Sequence, residues 1–140
     1  MRRILAFDVG EKRIGIAVSD PLGFSAQGLE TYARTGDLDK DAAHLLDIAN
    51  GYAPVKLVFG MPRNMDGSYG MQAEATKAFA EAVLARWDGE WDFYDERLTT
   101  ISAKRVLLEG DVRRGKRKQV IDKLAAVIIL QNYLDAHPAG

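Results

Sequence analysis

A chain of 140 residues, 47% of them hydrophobic and 28% charged, has the size and composition of one soluble globular domain. The absence of cysteine excludes a disulfide framework, a thiolate zinc site and a cysteine nucleophile. The apolar run near the amino terminus is interrupted by Asp8, so it is too short for a signal peptide or a membrane span. We therefore expect a single domain over residues 1–140, in the cytoplasm and without membrane contact.

The net charge of −1 is unevenly distributed along the chain. Residues 97–123 contain nine basic and three acidic side chains, and five of the six residues from 113 to 118 are basic. These five are Arg113, Arg114, Lys116, Arg117 and Lys118. Closely spaced cations bind a polyanion because they displace its counterions. The segment therefore predicts a phosphate-binding loop, and a merely solvated loop is the alternative.

The predicted elements begin with strands. Arg3–Val9 and Arg13–Ser19 flank a turn and predict a hairpin, and Phe24–Tyr32 is a weaker third strand. Apolar residues at helical spacing then predict a helix over Asp37–Asn50 that stops at Gly51. The remaining predicted elements are a strand over Val55–Phe59, a loop over Met61–Gly70, a helix over Gln72–Arg86, a strand over Trp91–Asp95, a helix over Thr100–Glu109 capped by Gly110, and a helix over Lys118–Ala136.

This order of elements predicts an α/β fold. Three directly connected strands must be antiparallel, whereas strands separated by helices are expected to be parallel. The result is a mixed five-stranded sheet flanked by helices on both faces, which is the plan of the ribonuclease H-like fold. In the usual order of that fold the fourth strand lies beside the first, and the fifth beside the fourth.

Two acidic residues lie within apolar elements. Asp8 interrupts the most hydrophobic strand, where an ionised carboxylate costs several kcal/mol unless it is paired or bound to metal. A role in capping the following turn is the alternative. Asp122 lies one turn before Ala125 and Ala126, which are small enough to let the final helix approach the sheet. A favourable interaction with the helix dipole would explain Asp122 equally well.

A third acid comes from the end of the last predicted strand. Asp95 and Glu96 point to opposite faces, so only one of them can meet Asp8. With one strand between them, Glu96 would start about 10 Å from Asp8. Side chains could then share a pair of Mg²⁺ ions, which prefer carboxylate oxygens and can serve the attacking and leaving oxygens of phosphodiester hydrolysis. Asp20, at the end of the second strand, is expected to be structural.

Four segments, in order along the chain, resemble the signature motifs of the YqgF/RuvX family. They are DVGEKRIGIAVSD at Asp8–Asp20, GMPRNMDGSYG at Gly60–Gly70, DERLTT at Asp95–Thr100 and KRKQVIDKLAA at Lys116–Ala126. That family is described as ribonuclease H-like and related to Holliday-junction resolvases. Its bacterial members are assigned to maturation of the precursor of 16S ribosomal RNA.

The resemblance implies Asp8, Glu96 and Asp122 as catalytic acids and as ligands of Mg²⁺ or Mn²⁺. It also implies that the basic loop and the loop Gly60–Gly70 face the nucleic acid. The candidate contacts are Lys12, Arg13, Arg63, Arg97, Arg113, Arg114, Lys116, Arg117 and Lys118. In the resolvase branch an acid follows the fourth strand, where this chain has Gly60-Met61-Pro62. The middle ligand must then come from the next strand, with Asp95 and Asp66 as alternatives to Glu96.

These features predict a metal-dependent nuclease acting on precursor ribosomal RNA or on a DNA junction, as a monomer or a homodimer. A non-catalytic nucleic-acid-binding module would keep the basic segment but would not need an acid inside a strand. An ATPase of the actin-like superfamily is disfavoured because 140 residues hold only one of its two lobes. A serine hydrolase is disfavoured because His44 and His137 have no nucleophile motif nearby; both are expected at the surface.

Overall fold

Five strands and three helices occupy the part of the chain that the structure, a computed structural model, describes. It covers residues 3–62, 66–96 and 114–137, with the backbone alone for residues 114–122. The elements are β1 (Ile4–Val9), β2 (Arg13–Ser19), β3 (Ala26–Ala33), α1 (Leu38–Tyr52), β4 (Lys56–Met61), α2 (Met71–Leu84), β5 (Glu90–Asp95) and α3 (Arg114–Ala136). No helix in these ranges is both long enough and apolar enough to span a membrane.

The strands form one mixed sheet in the order β3-β2-β1-β4-β5. The hairpin-connected strands β1, β2 and β3 pair antiparallel, whereas β4 pairs parallel with both β1 and β5. Short connections allow antiparallel pairing, and a parallel neighbour requires a longer crossover, here containing a helix. The predicted strand order of the ribonuclease H-like fold is therefore confirmed.

Helices cover both faces of this sheet, as the sequence predicts. On one face, α1 and α2 bury Leu5, Phe7 and Val9 of β1. On the other face, α3 buries Ala6 of β1 together with Ala17 of β2. Successive residues of a strand point to opposite faces, so the alternating strand positions divide between the two layers.

Two helix boundaries differ from the prediction. Asp37, predicted as the first helical residue, caps α1 and accepts a hydrogen bond of 3.2 Å from the Lys40 amide. Gly51, however, lies inside α1, which ends where Ala53 adopts a left-handed conformation with φ of 47°. Glycine disfavours a helix by only about 1 kcal/mol, and packing of the apolar face overrides that preference.

The final helix begins at Arg114 instead of Lys118, so the prediction of a basic loop is wrong for Arg114–Lys118. Arginine and lysine have high helix propensity, and a single glycine in the first turn costs little. Arg113 and the predicted helix over Thr100–Glu109, with its cap Gly110, lie outside the described residues.

The contact of α3 with the sheet depends on small residues. A Cβ atom built on Gly60 would lie 2.5 Å from Cδ1 of Ile129. Ala125 and Ala126, about one turn earlier, are almost fully buried on the same layer. At the start of β4, Lys56 reaches Tyr133, further along the helix. The helix α3 therefore runs antiparallel to β4, with its amino-terminal half toward the carboxyl ends of β1 and β4.

We predict that Gly60→Ala destabilises the protein by about 1–3 kcal/mol, the usual effect of an added methyl in a filled core. Ile129 is fully buried, so its side chain cannot rotate into solvent to make room. Urea unfolding measures the change. The control is Gly51→Ala, because a Cβ there meets no atom within 4 Å, and it should stabilise α1 by roughly 0.4–1 kcal/mol. Equal stabilities of the two variants would contradict the close approach of α3.

Candidate active site

Asp8 occupies the interior of the sheet. It lies in β1 opposite Gly15 of β2 and is 6% exposed. Two residues earlier on the same strand, Ala6 packs in the α3 layer, so the alternation of the strand puts Asp8 on the α3 face. The predicted burial of this acid within a strand is confirmed. Burial of an ionised carboxylate at this depth requires compensation by polar partners or by a cation.

Glu96 follows β5 on the same face as Asp8. Tyr94, two residues earlier, packs in the α3 layer and pairs with Gly60 of β4. The carboxyl carbon of Glu96 lies 3.4 Å from a Cβ built on Gly60. Asp95 pairs with Met61 one residue along, so it points toward the opposite layer. Of the two neighbouring acids, the structure places Glu96 on the face of Asp8.

Gly60 is the position between these two acids. The parallel register pairs Phe7 with Phe59, and continuing it by one residue sets Asp8 beside Gly60. The Glu96 carboxyl group reaches over the same glycine from the neighbouring strand. A side chain at position 60 would meet Ile129 first and the carboxyl group of Glu96 next. The glycine therefore allows both side chains to approach β4.

Asp122 is described by its backbone alone. It lies in α3, seven residues before Ile129, whose side chain meets Gly60. A helix rises about 1.5 Å per residue, so position 122 lies roughly 10 Å further toward the carboxyl ends of β1 and β4. Positions 122, 125, 126 and 129 also follow one stripe of the helix. The backbone of α3 thus carries residue 122 to the end of the sheet where Asp8 and Glu96 lie.

Asp8 and Glu96 are hard oxygen donors of the kind that Mg²⁺ and Mn²⁺ prefer. Among the side chains that the structure describes, no group of three His, Cys, Asp or Glu residues could hold a metal ion. The described part of the site therefore supplies two carboxylates on one face. These fit part of a ligand set for a hard divalent cation, and Asp122 is the candidate for its completion.

Two other acids make structural turns. Asp66, an alternative ligand in the prediction, accepts hydrogen bonds at its Oδ1 from the amide and hydroxyl of Ser68, at 2.9 and 2.6 Å. Asp20 accepts from the amides of Phe24 and Ser25 at 2.7 and 2.9 Å. The hydrogen bonds from Ser25 and Phe24 hold the pKa of Asp20 below its usual value, against a smaller opposing effect of burial. The predicted structural role of Asp20 is confirmed.

The candidate nucleic-acid contacts fall into three groups. Lys12 is exposed and Arg13 half-buried at the turn that follows Asp8. The backbone positions of Arg114, Lys116, Arg117 and Lys118 lie in the first turns of α3. The other candidates, Arg63, Arg97 and Arg113, lie outside the described residues. Lys12 and Arg13 therefore lie next to the end of β1, and the backbone of the second group lies at the start of α3.

Two residues at the site escaped the sequence prediction. The Nε2 atom of Gln72 donates a hydrogen bond of 3.0 Å to the Val9 carbonyl, directly after Asp8. The Nη1 atom of Arg34 donates one of 3.0 Å to the Gly10 carbonyl. No local pattern marks a glutamine in a helix or an arginine after a strand as a partner of a distant turn. The sequence predicted only that Gln72 lies near the start of a helix and that Arg34 follows a strand.

The same fold occurs in solved structures. Thermus thermophilus RuvC in complex with a Holliday junction substrate matches with a TM-score of 0.63 over 99% of this chain and 98% of that one, at 14% identity. A second structure of Thermus thermophilus RuvC matches with a TM-score of 0.59 over 96% of this chain and 95% of that one, at 12% identity. At such identities the likeness establishes the ribonuclease H-like fold alone.

Sequence relatives are much closer. A protein of Symbiobacterium thermophilum is 53% identical over 98% of this chain and 94% of its own length. A protein of Moorella thermoacetica is 53% identical over 95% of this chain and 94% of its own length. Both carry the provisional name pre-16S rRNA nuclease. The sequence model described as RuvX, Holliday junction resolvase, matches residues 2–136. With this match over nearly the whole chain, the protein belongs to the RuvX family.

Proposed function

We propose that this chain is a divalent-metal-dependent nuclease that hydrolyses phosphodiester bonds in the precursor of 16S ribosomal RNA. Nuclease function follows from its family and from the shared name of its relatives. The observation that carries the chemistry is the pair of carboxylates on one face, with Asp8 buried in β1 and Glu96 beside Gly60. We further propose that residues 1–140 act as one domain in the cytoplasm.

In this proposal Asp8, Glu96 and Asp122 hold two Mg²⁺ or Mn²⁺ ions. Such a pair, when bound, supplies a water of lowered pKa as the nucleophile and stabilises the leaving oxygen. The role of the chain is to fix the carboxylates. Asp8 is held by the pairing of β1 with β2, and the carboxyl group of Glu96 lies over Gly60. A site built on strands and a packed helix keeps its ligands in place better than a site built on loops.

Resolution of Holliday junctions is the second candidate function, because the family is described by that activity. The same three carboxylates would serve both reactions. A junction has two strands to cut, so this function would need two active sites related by symmetry. The names of the close relatives favour ribosomal RNA. A purely binding module would not explain why Asp8 is buried within a strand.

Cleavage assays on two substrates test the proposed function. A precursor of 16S ribosomal RNA that keeps its 5′ extension and a four-way DNA junction are each incubated with the purified protein and Mg²⁺ or Mn²⁺. We expect shortening of the RNA and no symmetric cutting of the junction. Asp8→Asn, which is nearly isosteric but lacks the charge, should leave both substrates intact while its circular dichroism stays that of the parent. Parental cleavage by folded Asp8→Asn would overturn the three-carboxylate assignment.

Metal binding can be tested apart from cleavage. Binding to the native state alone raises the melting temperature, so millimolar Mn²⁺ or Mg²⁺ should stabilise the parent protein. The rise should shrink in Glu96→Gln but persist in Asp95→Asn, because the structure places these neighbours on opposite faces of the sheet. The pair is a matched control, since each variant loses one negative charge at the end of β5. An equal loss in both variants would contradict Glu96 as the specific ligand.

The basic segment offers a further prediction. The first turn of α3 contains no acidic residue, and cations there face the positive end of the helix dipole. Bound phosphates would offset this repulsion, because their negative charge is attracted both to the cations and to the amino terminus of the helix. Each phosphate neutralised should contribute roughly 0.7–0.9 to the magnitude of the salt slope of binding. Replacing Arg113, Arg114, Lys116, Arg117 and Lys118 with glutamine, which keeps helix propensity, should therefore weaken binding and flatten that slope.

Fluorescence titrations at several salt concentrations measure this slope on RNA and on DNA. The control replaces Lys77 and Arg86, two exposed cations on or just after α2, with glutamine. That variant should keep the parental affinity and slope. Metal binding should be unchanged in both variants. If the variant of residues 113–118 kept the parental salt slope, the basic segment would not bind the phosphates. The loop at Gly60–Gly70 would then be the next candidate.

A further inference from the structure

We propose that Gln72 and Arg34 are positioning residues that hold the backbone turn after Asp8 and thereby orient the Asp8 carboxylate toward a divalent cation. The proposal rests on the proposed function, because it takes Asp8 as a metal ligand. Neither side chain carries a reacting group in that chemistry. Each acts through the main chain to which Asp8 belongs.

Several polar backbone groups of the turn from Val9 to Arg13 are bound by partners from α2, from the residue after β3 and from within the turn. The Val9 carbonyl accepts 3.0 Å from Nε2 of Gln72, and the Gly10 carbonyl accepts 3.0 Å from Nη1 of Arg34. The backbone amide of Arg34 also donates to the Lys12 carbonyl at 2.9 Å. Within the turn, the Gly10 amide donates to the Arg13 carbonyl at 2.8 Å. The two carbonyls that follow Asp8 are thus each bound by a side chain from outside the turn.

These side chains act where β1 loses its pairing with β4, although its pairing with β2 continues as far as Val9 and Ile14. The register of β1 with β4 runs as far as Phe7 and Phe59, one residue before Asp8. Beyond it, Gln72 binds the next part of the strand from the first turn of α2. A Cβ on Gly10 would lie 2.7 Å from the Arg13 carbonyl oxygen, so the turn is also tightly folded. On the side of β4, the geometry after Asp8 therefore depends on side chains instead of on strand pairing.

Arg34 is itself held on two sides. Its guanidinium carbon lies 5.0 Å from the ring centre of Phe79 in α2, and its Nε lies 3.8 Å from Oδ2 of Asp41 in α1. Asp41 is fully buried and accepts from the hydroxyls of Tyr32 and Thr35, each at 2.8 Å. Burial alone would raise the pKa of Asp41, but these hydrogen bonds and Arg34 outweigh it and hold the pKa below its usual value. An ionised Asp41 keeps the arginine in place.

The loss of a positioning residue has a measurable effect on metal affinity. Groups that orient metal ligands without touching the metal typically change affinity or activity by 10- to 100-fold when they are altered. Gln72 is the better position to test because it is exposed and its substitution does not disturb the core. The choice of substituent can also separate positioning from simple electrostatics.

The decisive pair of variants is Gln72→Glu and Gln72→Lys. Glutamate has the same shape but turns the donor into an acceptor that repels the Val9 carbonyl, whereas lysine retains a donor. Electrostatics alone predicts that the added negative charge strengthens Mn²⁺ binding and that the added positive charge weakens it. Positioning predicts the opposite order. We expect the dissociation constant for Mn²⁺ to rise 10- to 100-fold in Gln72→Glu and to stay near the parental value in Gln72→Lys.

Binding is measured on the intact protein without nucleic acid, from the electron paramagnetic resonance signal of free Mn²⁺. Gln131→Glu is the matched control, because Gln131 also binds a backbone carbonyl, that of Phe24 at 3.1 Å, but on α3 against the start of β3. It should bind Mn²⁺ like the parent. Hydrogen exchange of the Gly10 amide provides a second measurement and should be faster in Gln72→Glu alone.

Arg34→Met tests the second positioning residue in the same way. It removes a positive charge, so electrostatics predicts tighter Mn²⁺ binding, whereas positioning predicts weaker binding. Arg86→Met is its control, since Arg86 makes a similar pair of contacts with the carbonyl and carboxylate of Asp39 on the surface. Melting temperatures without metal identify any loss of folding caused by exposing Asp41 to an apolar neighbour.

The outcomes distinguish a failure of the proposed function from a failure of the positioning role of Gln72 and Arg34. If the parent binds no Mn²⁺, the proposed function fails, and this inference fails with it. If the parent binds Mn²⁺ and Gln72→Glu binds it equally or more tightly than Gln72→Lys, only the positioning inference is overturned. Weaker binding in Gln72→Glu and in Arg34→Met, with both controls at the parental value, supports it.

Discussion

The close contact between α3 and the sheet is the constraint on which the site depends. Gly60 has no room for a Cβ atom against Ile129, and Ala125 and Ala126 are buried in the same layer. Interiors are packed as densely as organic crystals, so a larger side chain at this contact would have to displace the helix. The same contact fixes how far the backbone of residue 122 lies from the carboxyl ends of β1 and β4. The carboxyl group of Glu96 lies over the same glycine.

The period of two residues in a strand decides which acids meet. Asp8 and Glu96 share the α3 face because Ala6 and Tyr94, each two residues earlier, pack there. Asp95 is adjacent to Glu96 in the chain yet faces the other layer. On that other layer, the buried Asp41 carboxylate serves stability and supports Arg34 through hydrogen bonds. Similar carboxylates thus do different work according to the face on which the strand or helix presents them.

Charge is divided between the elements that surround the site. Carboxylates end β1 and β5, whereas cations occupy the turn after β1 and the first turns of α3. In the proposed function, a polyanion at this end of the sheet would bind to these cations, and the carboxylates would bind divalent metal ions. The net charge of −1 conceals this arrangement, because the opposite charges lie in different parts of the chain.

Much of this could be predicted from the sequence. Periodicity and turn residues predicted the elements, and the apolar run around Asp8 predicted its burial, because these are local patterns. The strand order was predicted from the usual order of the ribonuclease H-like fold, to which the order of elements led. The start of α3 at Arg114 and the continuation of α1 through Gly51 were decided by the fold, where packing overrides weak propensities. Only the tertiary structure brought Gln72 and Arg34 to the carbonyls after Asp8 and Glu96 to Gly60. Those contacts join residues far apart in the chain, and no local pattern records which distant backbone group a side chain will meet.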